Sequence, residues 1–507
     1  MKKLTIIFLC FFVLGAGVRA IKIWRPVDRP SWRECDEAGI ARNYYREGMN
    51  LFYPRVDWRG DTPGYAEMEF PIYPWLIAVG YKVIGFYEPI GRILSYLFSL
   101  ATLLLFFRLA KYLLSSWGAI YAALFFALSP LIINISSSLQ PESLMFLFYV
   151  LAGYWFIRWH EEEKEKYFWG SAVAISLAIL AKATAAHLGL FFGVLILEKV
   201  GFAALTKIRF WSFGAVALLP GGLWYYHAHQ FWKQYQLSLG LSNEYHWVGW
   251  DFFTNPSFVL GLARTEFLYV LMPLGMLVLA FGVLQNKHER AVKYGLWWLL
   301  AVGVYYLLAI RTTSAQWAAY YHIVSVPAVA LLFGNGVAAI QSFKSDKRWL
   351  NLRPQTLLTY LIVISISSVF LFQVRQIAVD AKNWRVTNVQ TCAQFFAMLI
   401  PASALVLTTG GTCVNETGYP AAYNASFMLY WIDRKGFNVC VEEQTLENIT
   451  VFAKRGAQYY LAAKSALPNK TSLETDLRSR YAVLVECGDY ALFQLNSTER
   501  ENTKVGH

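Results

Sequence analysis

Apolar runs recur along the first three-quarters of the chain, at 4–20, 89–110, 117–132, 142–158, 168–183, 185–199, 209–227, 264–285, 292–310, 319–340 and 355–376. Most reach or approach the roughly 18 apolar residues needed to cross a bilayer. The sixth is the shortest, with its apolar part confined to 188–197. This pattern predicts an all-α polytopic membrane body of about eleven transmembrane helices over 1–376. Beyond it the texture changes. Short runs at 404–407, 450–452, 459–461 and 481–485 read as strands, with helical stretches between them and turns at Gly410-Gly411, Gly418 and Pro420. The expectation for 377–507 is a small α/β domain outside the membrane.

The segment 21–88 is a long polar loop with structure of its own. From Asp36 to Glu47, Ala38, Ile40, Ala41, Tyr44 and Tyr45 fall at helical spacing between arginines, as in a helix lying along an interface. Phe70-Pro71-Ile72-Tyr73-Pro74-Trp75 opens a second apolar stretch that ends near Gly85-Phe86. Broken by prolines, it reads as juxtamembrane instead of spanning.

Composition agrees with a membrane protein: 56% of residues are hydrophobic and only 15% charged. The net charge of +12 would fit a nucleic-acid partner, but the basic residues sit in alternate short loops. Arg108 and Lys111, Arg158, Lys164 and Lys166, Lys199, Lys207 and Arg209, Lys287, Arg290 and Lys293, and Lys344 to Arg353 all fall on the side of Lys2 and Lys3. That asymmetry places the N-terminus in the cytoplasm and the 21–88 loop and tail on the outer face. It also removes the case for nucleic acid. The first helix reads as a retained signal anchor, because Arg19 interrupts the small-residue pattern of a cleavage site.

Cys35, Cys392, Cys413, Cys440 and Cys487 all fall on that outer side, and the four in the tail allow two disulfides in any of three connectivities. Five Asn-x-Ser/Thr sites begin at Asn415, Asn424, Asn448, Asn469 and Asn496. They matter only in a secretory lumen. The expected location is therefore the plasma (inner) membrane, with the endoplasmic reticulum membrane as the alternative.

Chemistry concentrates at the outer ends of the spans. Asp36 and Glu37 follow the first span; a carboxylate there suits deprotonation of a sugar hydroxyl, and Asp36 equally suits a helix N-cap. Glu142 opens the fourth span in Gln140-Pro141-Glu142, where a helix dipole also favours an acid. Lys182 lies between two apolar runs, where a lysine pairs with an anion such as a lipid phosphate or snorkels. Arg264 and Arg311 are further outer-side cations for a phosphate. The loop after Trp224-Tyr225-Tyr226-His227-Ala228-His229 carries Glu244 and His246, and Tyr320-Tyr321-His322 precedes Pro327. The histidine and acidic types suit a metal, although their spacing matches no dedicated site, and the aromatics suit a sugar platform or an aromatic belt at the interface.

Taken in order and by membrane side, these segments resemble the GT-C membrane glycosyltransferases, in the group of the protein O-mannosyltransferases and the bacterial lipid A aminoarabinose transferase. The resemblance covers most of 1–340 and rests on Asp36-Glu37, on Pro71-Ile72-Tyr73-Pro74-Trp75-Leu76, on Ser129-Pro130 with Pro141-Glu142, on Lys182, and on Tyr320-Tyr321-His322 with Pro327. It implies transfer of a single sugar from a polyprenyl-phosphate donor to a glycan, lipid or protein acceptor, by inverting displacement. By the resemblance Asp36 would act on the acceptor, Glu142 would be the second-loop acid and Lys182 would face the donor phosphate; Glu37 as a further catalytic acid and Arg264 and Arg311 as further phosphate-facing cations are candidates from their positions alone. Glu69, Tyr73, Glu244, His246, Tyr321 and His322 would contact substrate. No cofactor is demanded, although Asp36 and Glu142 would suit a shared divalent cation. The chain departs from the aminoarabinose transferase pattern in having Glu69-Phe70-Pro71 where that pattern has Glu-Lys-Pro, and in its smaller number of spans. No β-trefoil insertion of the mannosyltransferase kind is found. A polytopic transporter or flippase for a lipid-linked glycan is the alternative, but the internal repeats expected of one are not visible.

Overall fold

The computed structural model describes residues 2–27, 32–242, 249–271, 273–342, parts of 356–375, 388–414, 427–467 and 470–495. They divide into two compact units. The first holds residues 1–25, 91–224 and 246–382; the second holds 26–90, 225–245 and 383–507. The 21–88 loop thus groups with the tail, a division that differs from a chain-order boundary at 376.

The first unit is helical. Each apolar run between 4 and 340 has its helix, from Lys2–Ala20 and Ile90–Leu113 through Glu142–Glu162 and Glu165–Ala181 to Arg290–Leu308 and Val326–Ser342. The run at 355–376 falls largely outside the described residues. Among the described residues, four helices are long and apolar enough to cross a membrane alone, and a fifth span forms if the bent pair Pro256–Leu271 and Gly275–Gln285 counts as one. Several others are shorter or carry charges at their ends. Span 117–132, for example, is split between Ser116–Leu128 and Pro130–Ile135, because Pro130 cannot donate to the preceding turn.

Packing follows from small residues. In Val326–Ser342, a Cβ on Gly334 would meet the Gly118 carbonyl oxygen at 2.4 Å, and one on Gly336 the Val278 carbonyl oxygen at 2.2 Å. Only glycine lets three helices approach this closely, as in membrane bundles. Aromatic rings fill the rest: Phe106 stacks on Phe126 at 4.2 Å and Phe156 on Phe192 at 4.1 Å. Arg19 is buried against the body, donating to Ser99 Oγ and the Gly15 carbonyl.

The second unit contains a five-stranded sheet. Its strands are β1 (Leu405–Thr409), β2 (Lys435–Val439), β3 (Ala457–Ala463), β4 (Ala482–Cys487) and β5 (Tyr490–Gln494), in the order β2-β1-β3-β5-β4. β1 pairs in parallel with β2 and β3, while β5 runs antiparallel to β3 and β4. The segment 450–452, expected as a strand, is helical within Leu446–Lys454. The β-branched Thr450 and Val451 favour strand locally, but Thr445 caps the helix by accepting from Asn448 N, and Ile449 anchors it in the core. β2 and β5 were not anticipated.

The first loop contributes the helices Trp32–Glu47 and Ile72–Ile84, in line with the expected helices at 36–47 and after Pro71. It joins the sheet domain through backbone and charge. Gly60 N donates to Gly436 O, and Gly436 N donates to Asp57 O. Asp57 accepts from Arg42 Nη2 at 2.7 Å and from Asn43 at 2.9 Å, and pairs with Lys435. Burial alone would raise the Asp57 carboxyl, but Lys435 and Arg42 hold it well below the usual carboxylate range. Burial in turn pulls the Lys435 ammonium below an ordinary lysine. Cys392 bonds to Cys487 and Cys413 to Cys440, which selects one of the three connectivities. Asn448 is described within its helix; Asn415, Asn424, Asn469 and Asn496 lie outside the described residues.

Candidate functional site

In the first unit, Lys182 is the residue at which the helix Glu165–Ala181 ends, and Glu142 is the first residue of the helix Glu142–Glu162. The two form a buried ion pair, with side chains 7% and 2% exposed. The Lys182 ammonium also lies 4.5 Å from the Tyr321 ring centroid and 4.9 Å from that of Tyr320. A lysine so enclosed is costly unless carboxylate and π-faces surround it. The second oxygen of Glu142 is buried and has no hydrogen-bond partner among the described residues. The result is a desolvated ammonium held by a carboxylate and flanked by two aromatic rings.

His322, next in sequence, is turned elsewhere. It is fully buried, with Nε2 2.7 Å from Thr313 O and Nδ1 2.7 Å from Glu266 Oε1. The carbonyl only accepts, so Nε2 donates to it. The contact to Glu266 then holds one further proton, on either the ring or the carboxyl. Ser325 Oγ donates to the same carboxylate. Glu266 begins a π-helical turn, Glu266–Leu271, a geometry frequent at functional positions. Arg311 is buried in the short helix Ile310–Thr313, whereas Arg264 is exposed at the end of Pro256–Thr265. Glu244 and His246 lie outside the described residues.

In the second unit, the first turns of Trp32–Glu47 collect the acids. Asp36 is 3% exposed and accepts from Trp58 Nε1 at 2.9 Å. Glu37 is fully buried and pairs with Arg33 one helical turn back. Arg33 also pairs with Glu69 and donates to Leu239 O, so one guanidinium bridges Glu37 and Glu69. Tyr73 is buried in Ile72–Ile84. Residue spacing did not single out Arg33, Glu266 or Glu67. Glu67 accepts from Ser238 Oγ at 2.7 Å and from Ser242 Oγ at 2.9 Å, with His229 Nδ1 at 3.0 Å. The alternation Glu67-Met68-Glu69 is the one local sign of it.

The structure thus brings Glu142, Lys182 and Tyr321 together in the first unit, and Glu37 and Glu69 together through Arg33 in the second. Among the described residues, three metal-capable side chains gather only at Cys413, Cys440 and Glu442, where both sulfurs are tied in the disulfide and offer no thiolate.

Residues 63–225 match the family described as dolichyl-phosphate-mannose-protein mannosyltransferase. A protein of Aquifex aeolicus is 26% identical over 234 residues, which cover 45% of this chain and 42% of that relative, so less than half of the relative's length is matched. ArnT from Cupriavidus metallidurans, crystallised with undecaprenyl phosphate, is similar in structure with a TM-score of 0.64 at 13% identity, over 97% of this chain and 98% of that one. The archaeal oligosaccharyltransferase AglB from Archaeoglobus fulgidus gives 0.54 at 9% identity, over 96% and 74% of the two chains. Arabinofuranosyltransferase AftD from Mycobacteria gives 0.52 at 12%, over 96% and 40%. The fold of this chain is the GT-C fold of membrane glycosyltransferases.

Proposed function

We propose that the protein is a membrane glycosyltransferase that moves one sugar from a polyprenyl-phosphate donor to an acceptor hydroxyl on the outer face. The observation that carries this reading is Lys182, buried with Glu142 beneath Tyr320 and Tyr321. In a GT-C fold, such a cation is fitted to a phosphate that departs as an anion. The acceptor oxygen forms the new bond to the anomeric carbon, the bond from that carbon to the phosphate oxygen breaks, and its electron pair leaves with the phosphate. Asp36 takes the hydroxyl proton, and a single displacement inverts the anomeric centre. Trp58 donates to one Asp36 oxygen. The outer-face assignment follows from the basic residues of the alternate loops.

Reconstituted protein incubated with radiolabelled polyprenyl-phosphate sugars tests the reading. Consumption of the donor with release of polyprenyl phosphate is expected. A donor that is moved across the bilayer but stays intact would mean a transporter.

A further inference from the structure

A cavity of about 260 Å³ lies within the second unit, with Arg42, Phe86, Glu88, Gln394, Trp431 and Asp433 among its lining residues. Its charges are already balanced. Glu88 accepts from Val27 N and from Tyr430 OH, both at 2.8 Å. Asp433 pairs with Arg42 at 3.0 Å and with Arg46 at 2.7 Å. Both lining carboxylates are already engaged, so the cavity holds no convergent open carboxylates for a metal ion. The Trp431 indole N–H is spent on the Val27 carbonyl at 2.9 Å, so what the ring offers a ligand is its apolar surface. Phe86 and Gln394 are exposed.

Aromatic surface next to an amide and carboxylate oxygens matches a polyhydroxylated ring. The C–H faces of a sugar cover the aromatics, and its hydroxyls both donate and accept. The volume falls below the roughly 300 Å³ at which pockets begin to enclose drug-sized ligands, so it suits one sugar residue. We propose that this cavity binds a neutral sugar residue of the acceptor, a role that rests on the glycosyltransferase reading and names its acceptor as a glycan.

Saturation-transfer NMR on the full-length protein in nanodiscs, with a panel of neutral methyl glycosides and disaccharides and no donor present, tests it. At least one glycoside is expected to bind. Gln394→Trp, which fills the cavity from an exposed position, should weaken that binding about tenfold or more at an unchanged melting temperature. Phe86→Ala should weaken it through loss of apolar surface. A wild type that binds none of the panel, or a Gln394→Trp variant that binds as well as wild type, overturns the site. Because no donor is used, the two proposals fail separately. Binding at this cavity with no donor consumption in the radiolabel assay keeps the sugar site and overturns the transferase reading, whereas donor consumption without binding overturns the cavity alone.

Discussion

Trp58 Nε1 donates to Asp36 Oδ1 at 2.9 Å, and both side chains are buried within the second unit. One oxygen of the proposed base is therefore fixed in direction. Asp36→Asn keeps an acceptor for the indole but cannot take a proton. Transfer should fall by about a hundredfold or more, with the melting temperature nearly unchanged. Trp58→Phe keeps the carboxylate and loses its orientation, so a smaller loss of about tenfold is expected. Steady-state turnover of both variants with a defined lipid-linked donor checks the order, and an Asn variant near wild-type rate sinks the assignment.

Lys182 and Glu142 form a pair of the kind that is expensive to break from one side. Lys182→Met should destabilise the protein by about 3–5 kcal/mol, because it strands a buried carboxylate. Adding Glu142→Gln to that variant should restore part of the loss. Donor KM should rise in both variants that lack the ammonium, including the more stable one. Thermal unfolding and donor titration of the single and double variants separate support of the fold from phosphate binding; a double variant with wild-type KM removes Lys182 from the donor site.

The membrane body was legible because the length and apolar character of a run are local properties. Asp36, Glu142 and Lys182 stood out for a related reason: a charge at the end of an apolar run is conspicuous by itself. Partnerships were not legible. Lys435 reaches Asp57 across 378 positions and Ser238 reaches Glu67 across 171, and nothing in the spacing of either segment records the other. β2 escaped notice because Lys435-Gly436-Phe437-Asn438-Val439 mixes polar and glycine positions, and its strand conformation comes from parallel pairing with β1. Thr450-Val451 failed in the opposite direction, where a cap and a buried Ile449 outweighed β-branching.

Asp57 should make the second unit sensitive to acid. Its folded pKa lies below the unfolded value of 3.8, so its contribution is complete above the unfolded value and is lost as pH falls through that value toward the native one. Stability should therefore decline as pH drops below about 5. Asp57→Asn removes this group's share of the slope and leaves Arg42 and Lys435 buried without their carboxylate, a loss of about 3–5 kcal/mol at neutral pH. Denaturant midpoints of wild type and variant between neutral and acid pH check it. The two curves should converge as pH falls; parallel curves would show that Asp57 carries no linked proton.

The two disulfides should differ in weight. Cys392–Cys487 closes a separation of 95 residues and Cys413–Cys440 one of 27. On the chain-entropy account, constraining the unfolded state contributes about 4.7 kcal/mol for the longer loop and about 3.6 kcal/mol for the shorter. The longer one also ties the helix Asn388–Leu399 to the end of β4, so its loss frees a helix that packs Phe396 into the core. Cys392→Ser with Cys487→Ser is accordingly expected to lower the melting temperature more than Cys413→Ser with Cys440→Ser. Melting of both double variants under non-reducing conditions measures the difference, and an equal or reversed order would show that native-state packing around Cys413–Cys440 outweighs loop entropy.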